Sequence, residues 1–313
     1  MNSPKRTEIE ALFRSPLTRR VLRREKDGFI TEDGDEYFPV SASGIPLFAG
    51  EFISDDAKVQ QSHYDTLADI YIENLGYPHT QEYMEYLDDG VFDAIGSEPL
   101  GRMAELCCGR GEAIRLLENQ FTLAIGVDVS QKMLESALQD IGNPSVALIQ
   151  GDATKLPLES ESFDTVMMLG GIHHINDRAA LYGEVERILK PGGRFIFREP
   201  VDDFAVWRWI RNIIYRFSPA LDFDTEAPLR KSSTLTQLQK VGFEVQNWKT
   251  YGFFGFCLFM NSDVLVFNRV FRFLPGIRAL TRLSAKLDGW IIKSPGMSDN
   301  GLIVVGSIRK PAA

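Results

Sequence analysis

The sequence predicts an α/β fold: an open, mostly parallel sheet with helices on both faces, a small β-ribbon before it and helical insertions after it. Three observations carry this. Between 101 and 200, short apolar runs alternate with helical stretches, the pattern of repeated β–α–β units. Between 12 and 50, short extended pieces are joined by turns, with Asp33-Gly34 as a hairpin signal. After 200, aromatic-rich stretches at 202–231 and 252–298 flank a helix-then-strand signal at Leu235–Tyr251. The 313 residues divide accordingly into an N-terminal segment 1–52, a core with cover helices at 53–201, and a C-terminal part at 202–313.

The elements follow in order. Residues 55–95 read as helical and tyrosine-rich. The core strands are expected at Met103–Cys108, Leu123–Val127, Val146–Ile149, Phe163–Leu169 and Arg194–Phe197. Pro191-Gly192-Gly193 is a turn expected to stop one helix and launch the last of these strands. Leu302–Ile308 reads as a closing strand.

Composition sets bounds on function. Hydrophobic residues make up 44% and charged residues 25%, an ordinary globular profile. A formal net charge of -9 disfavours a general nucleic-acid binder, which needs a basic surface. Cys107, Cys108 and Cys257 are too few for a disulfide framework, so a reducing cytoplasm is the expected setting. The first residues lack an apolar signal core, and no apolar run is long enough to span a bilayer.

The strongest motif is Glu105-Leu106-Cys107-Cys108-Gly109-Arg110-Gly111, after one apolar strand and before a helix. Glycine at such a turn lets the backbone approach a ligand, because no Cβ intervenes. Asp128 closes the second strand, where a carboxylate can accept both ribose hydroxyls of an adenosine. Asp152 follows the third strand and faces the expected adenine edge. On these residues alone a nicotinamide dinucleotide stays open as the ligand, although the spacing lacks the third glycine of that fingerprint.

Taken together, ELCCGRGE, GVDVSQKML, GDATKLPLESESFD, LGGIHHI and RILKPGGRFIF resemble the core of class I S-adenosylmethionine-dependent methyltransferases of the small-molecule type. The resemblance covers about 101–200 and implies a Rossmann-like seven-stranded methyltransferase sheet with S-adenosylmethionine as cofactor. By the resemblance, the cofactor site comprises Tyr64, Tyr71, Glu105, Cys107, Gly109, Gly111, Asp128, Val129, Met133, Asp152, Ala153 and Leu169. Glu105 would approach the cofactor's amino group, directly or through water. Tyr64 and Tyr71, seven apart on one helical face, would cover the sulfonium. One departure stands out: the family's usual first glycine of the loop is Cys107 here.

Methyl transfer from a sulfonium requires nucleophile, methyl and sulfur in line, and in some cases removal of a proton. His173 and His174, after the fourth strand, are candidate bases. Glu199, ending the fifth strand beside Arg198, is a third candidate, with a structural salt bridge as the alternative.

Two flanking regions complete the picture. Residues 12–48 resemble the zinc-ribbon-like domain that precedes or activates some methyltransferases, through Ser15-Pro16, Asp33-Gly34, Tyr37-Phe38-Pro39-Val40 and Gly44-Ile45-Pro46-Leu47. The metal cysteines of that domain are missing, so no zinc is expected. Within 252–298, Phe267, Val270, Phe271, Leu274, Ile277, Leu280, Leu283 and Leu287 recur at helical spacing among basic residues. One reading is a lid over an apolar or anionic substrate, with a membrane-surface helix as a variant. The plainer reading packs the apolar side on the core and leaves a solvated basic side. The function expected from all this is methyl transfer to O, N or C of a small, partly apolar metabolite. The alternatives are a non-methylating reaction such as cyclisation, an RNA methyltransferase, and a non-catalytic subunit.

Overall fold

The computed structural model describes residues 4–50, 53–209, 211, 227–260 and 266–312, at the level of the backbone alone for 63, 64, 66–71, 266 and 267. Two sheets organise the chain. The small one is antiparallel, with β1 (Leu22–Arg24), β2 (Gly28–Thr31) and β3 (Tyr37–Pro39) in that order. The Asp33-Gly34 turn joins β2 to β3, with Gly34 at φ 80°. The large one has seven strands in the order β6-β5-β4-β7-β8-β10-β9. These are β4 (Arg102–Leu106), β5 (Leu123–Asp128), β6 (Val146–Gln150), β7 (Phe163–Leu169), β8 (Leu189–Pro200), β9 (Glu244–Tyr251) and β10 (Ile303–Arg309). Strands β4 to β8 are parallel, and β10 runs antiparallel between β8 and β9.

Helices cover both faces: α1 (Pro4–Glu10), α2 (Asp55–Leu75), α3 (Pro78–Ile95), α4 (Glu112–Leu116), α5 (Gln131–Asp140), α6 (Arg178–Ile188), α7 (Lys231–Val241), α8 (Phe254–Phe259) and α9 (Ile277–Ile292). The helical zone expected at 55–95 is two helices, because Pro78 cannot continue α2 but suits the first turn of α3. The turn at Pro191-Gly192-Gly193 does not launch β8, as expected from the sequence. Leu189 already pairs with Phe163, and the chain bulges through Gly192 at φ 79° before Arg194 pairs with Thr165.

The N-terminal ribbon shares the main core. Phe13, Phe29, Phe38 and Phe48 pack as tilted and edge-on rings about 5 to 6 Å apart. They lie in one buried cluster with Ile125, Val127 and Ile149 of the sheet. Leu47 extends the β6 edge by pairing with Gln150, through Phe48 N–H to Gln150 O and Gln150 N–H to Pro46 O, both 2.9 Å. The C-terminal end of the β6 edge is thereby covered.

The region 252–298 differs from both expectations for it. A 3₁₀ segment, Val266–Phe273, precedes α9, and Pro275-Gly276 separates them. In α9 the buried side is Ile277, Thr281, Ala285, Asp288 and Ile292, while Leu280, Leu283 and Leu287 face solvent. The plainer reading holds for Phe271 and Ile277, which pack in the core, and is corrected for Leu280, Leu283 and Leu287, which do not. The reason is a polar anchor. Asp288 accepts hydrogen bonds from Tyr83 Oη at 2.6 Å, Phe253 N–H at 2.9 Å and Phe256 N–H at 3.2 Å, which turns its own side of α9 toward α3 and α8. Among the described residues there is no helix long and apolar enough to cross a membrane.

Candidate active site

The turns that follow β4, β5, β6 and β7 converge on one cleft of about 650 Å³, roofed by α2 and walled on one side by α3. This is where ligands bind in open parallel sheets. The glycine loop after β4 carries three consecutive signs of close backbone approach: Cys107, Gly109 and Gly111 at φ 49°, 50° and 72°. A Cβ on Gly109 would lie 3.3 Å from Met133 Cε, so a side chain there would crowd the cleft floor. Cys107 holds the same left-handed geometry without glycine's freedom, at a cost of about 1–2 kcal/mol. Its side chain lies against Gly171, where an added Cβ would meet Cys107 Cβ at 2.5 Å. Burial pushes the Cys107 and Cys108 thiols well above their usual range, so both stay protonated.

Asp128 joins two of the turns. Its Oδ2 accepts the Gly109 N–H at 2.7 Å and its Oδ1 accepts the Ser130 N–H at 2.9 Å. Each oxygen keeps a second acceptor position for a ligand hydroxyl. Burial raises its pKa, against these backbone bonds. At Asp152 the balance goes the other way. Burial opposes its charge, yet hydrogen bonds from Ser54 N–H at 2.8 Å, Thr154 N–H at 2.8 Å and Thr154 Oγ1 at 2.7 Å hold its pKa below the usual value.

The roof helix is clamped at three points that sequence reasoning missed. Ser54, the N-cap of α2, reaches Asp152. Asp56 accepts Asn176 N–H at 2.9 Å and Asn176 Nδ2 at 2.8 Å. Asp65 accepts Ser130 Oγ at 2.5 Å. Short polar residues are common at helix starts, and nothing in local spacing shows that these reach across to distant turns. Tyr64 and Tyr71 lie on α2, but their side chains fall outside the described residues.

Of the expected cofactor residues, Cys107, Gly109, Asp128, Val129, Met133, Asp152, Ala153 and Leu169 line the cleft. Gly111 lies one step back, as the N-cap of α4. Glu105 departs from its expected role. It is buried beneath the loop, and its two oxygens accept Ala113 N–H at 2.8 Å and Ile114 N–H at 2.9 Å, capping α4. Burial pushes its pKa up to about 8 against those two bonds.

His174 lines the cleft and His173 stacks behind it, with ring centroids 3.9 Å apart. Glu199 is fully buried and does not reach the cleft. It accepts Gly171 and Ile172 N–H at 2.7 Å, His173 N–H at 3.3 Å and His173 Nδ1 at 2.7 Å. Surrounded by donors, the carboxylate is the acceptor in each bond, which puts the ring proton of His173 on Nδ1. Glu199 thus positions the loop and the histidine ring. Beside it, Arg198 binds Asp88 Oδ1 at 2.7 Å and pairs with Glu112, tying α3 to the start of α4. Burial works against the Arg198 charge, but Glu112 and Asp88 outweigh it.

Among the described residues none of 252–298 lines the cleft, which corrects the lid reading. Phe271 packs instead on His79 and Phe259, behind α3, and the Phe267 side chain lies outside the described residues. Likewise, 210 and 212–226, most of the other aromatic stretch, lie outside the described residues. The described residues contain no cluster of side chains able to hold a metal ion.

Comparison with known proteins agrees with this geometry. Residues 104–197 match the family model described as a methyltransferase domain. The ubiquinone/menaquinone biosynthesis C-methyltransferase UbiE of Campylobacter jejuni is 27% identical over 49% of this chain and 74% of its own length. The 27-O-demethylrifamycin SV methyltransferase of Amycolatopsis mediterranei is 31% identical over 42% of this chain and 54% of its own. The chain spans about half the length of several curated relatives it matches. In structure, the [4+2]-cyclase SpnF superposes with a TM-score of 0.58 over 83% of this chain and 98% of that one, at 16% identity, a likeness of fold. Residues 104–197 thus carry a methyltransferase domain of the S-adenosylmethionine-dependent kind.

Proposed function

We propose that the chain transfers a methyl group from S-adenosylmethionine to O, N or C of a small, partly apolar metabolite. The observation that carries this reading is that one cleft joins Asp128 and the glycine loop to Leu169, Gly171 and His174. A cofactor seat and a candidate base thus share a cavity large enough for two ligands.

The residues fit the cofactor. Asp128 has an acceptor position open on each oxygen for the ribose hydroxyls. Asp152 and Ser54 edge the part of the cleft an adenine would take. Gly109 leaves the floor over Met133 open to a close-lying ligand. When bound, S-adenosylmethionine supplies an electrophilic methyl group on a sulfonium. In this reading His174 takes a proton from the acceptor, with the His173 ring, oriented by Glu199, against it. The two named relatives act in quinone biosynthesis and on a demethylrifamycin, which favours an apolar acceptor. Cys107, Cys108 and Cys257 are free, in keeping with a cytoplasmic setting.

The test is product analysis. The purified chain, incubated with S-adenosylmethionine and separate panels of quinols, phenols and amines, should yield S-adenosylhomocysteine together with an acceptor heavier by one methylene. Intact S-adenosylmethionine alongside a rearranged acceptor would establish the cyclase-like alternative. Cofactor binding with no turnover of any acceptor class would count against the enzyme reading.

A further inference from the structure

Helix α9 turns outward the side that a surface helix ordinarily buries. Leu280, Leu283, Leu287 and Trp290 fall within about 80° of arc at 100° per residue. Each is more than half exposed, and Trp290 is 71% exposed. The 3₁₀ segment before α9 adds exposed Val270 and Phe273, followed by exposed Leu274. So large an exposed apolar surface marks an interaction site.

The charge beside it is distinctive. Residues 266–293 contain six basic residues and one acid, Asp288, in a chain of net charge -9. Asp288 is buried, so it does not offset the surface charge. Lys286, Lys293, Arg282 and Arg278 follow one another round the helix, next to the leucine arc. Arg272 pairs with Glu73, and Arg278 and Arg282 both pair with Glu82, which offsets part of the charge.

We infer that this face docks on an anionic lipid surface. An apolar arc bordered by lysine and arginine suits the boundary between acyl chains and anionic headgroups. Exposed Trp290 is a ring type that settles at headgroup level, and exposed Phe273 suits the apolar side of such a boundary. A second copy packed across a two-fold axis would instead bring Lys286 and Arg282 toward the same residues of the other chain. The contact is superficial, because α9 has only 16 residues and is held to α3 by Asp288. Arg278 Nη2 also binds Gln81 Oε1 at 2.9 Å, and Gln81 lines the cleft, so α3 alone separates the docked face from the active site.

The full chain should co-sediment with vesicles of phosphatidylcholine mixed with phosphatidylglycerol, and far less with phosphatidylcholine alone. Tryptophan emission should shift to the blue on binding, and Trp290→Phe should abolish most of that shift. Leu283→Glu with Leu287→Glu should weaken binding at least tenfold, and Lys286→Glu should weaken it by about fivefold or more. These sites are exposed, so circular dichroism and S-adenosylmethionine affinity should match the parent chain. No binding by the parent, or equal binding by the leucine variant, overturns the inference. A dimer in gel filtration that the leucine variant dissociates, without vesicle binding, would assign the face to a second copy.

Discussion

The cofactor cleft and the α9 region both depend on buried carboxylates, but they use them differently. In and beneath the cleft, Asp128, Asp152 and Glu199 hold backbone N–H groups of the glycine loop, of the start of α2 and of the turn after β7, so separate segments meet in one fixed arrangement. In the C-terminal region, Asp288 and Glu82 hold helices together, by Tyr83 and two backbone N–H groups in one case and Arg282 in the other. The first arrangement preorganises a ligand site. The second sets which face of α9 is outward. A buried acid therefore identifies neither a base nor a ligand by itself; what it accepts decides its role.

If that distinction holds, the largest effect should come from the helical anchor. Asp288→Ala leaves the Tyr83 hydroxyl and two backbone N–H groups without their acceptor, and should lower stability by about 3–4 kcal/mol. Denaturant unfolding should show this, while calorimetry on the folded fraction shows S-adenosylmethionine affinity nearly unchanged. Asp128→Ala should do the reverse. Affinity should fall by about 2–3 kcal/mol, from lost ligand bonds and a released Gly109, with a smaller loss of stability. Equal affinities would remove Asp128 from the site.

How much of this was readable in the sequence depended on the range of the interactions. The strand-to-helix turn with Gly109, the acid ending β5 and the histidine pair after β7 are local signals, and they fall where expected. The capping role of Glu105 is not legible, because it depends on where α4 begins, seven residues on. The periodicity of α9 was real, but periodicity marks a stripe without saying which way it faces. Asp288 decided that, and its partner Tyr83 lies 205 residues away. The expected lid was misplaced for the same reason, since α3 intervenes.

Smaller effects sharpen the comparison further. His79 is buried among Tyr77, Phe259 and Phe271, and its ring nitrogens meet no hydrogen-bond partner among the described residues. Burial lowers its pKa below 6.5. The unfolded chain therefore takes up the proton first as pH falls, so stability is full above about 6.5 and declines below it, by at most about 1.4 kcal/mol per pH unit. His79→Leu should flatten that part of an unfolding profile measured between mildly acidic and neutral pH. In the cleft, Cys107→Gly relieves left-handed strain but frees the unfolded chain, for a net gain of about 0.5–1 kcal/mol. A small rise in melting temperature would show it, and a fall would mean the Cys107 contact with Gly171 outweighs the strain.

The central claim is that cofactor binding belongs to the turns of the sheet and not to the C-terminal helices. Amide hydrogen exchange of the full chain, with and without S-adenosylmethionine, tests it directly. The account predicts new protection at 107–112, 128–133, 151–154 and 169–175, with 277–292 unchanged. Protection centred on 277–292, with the glycine loop and Asp128 unaffected, would contradict it.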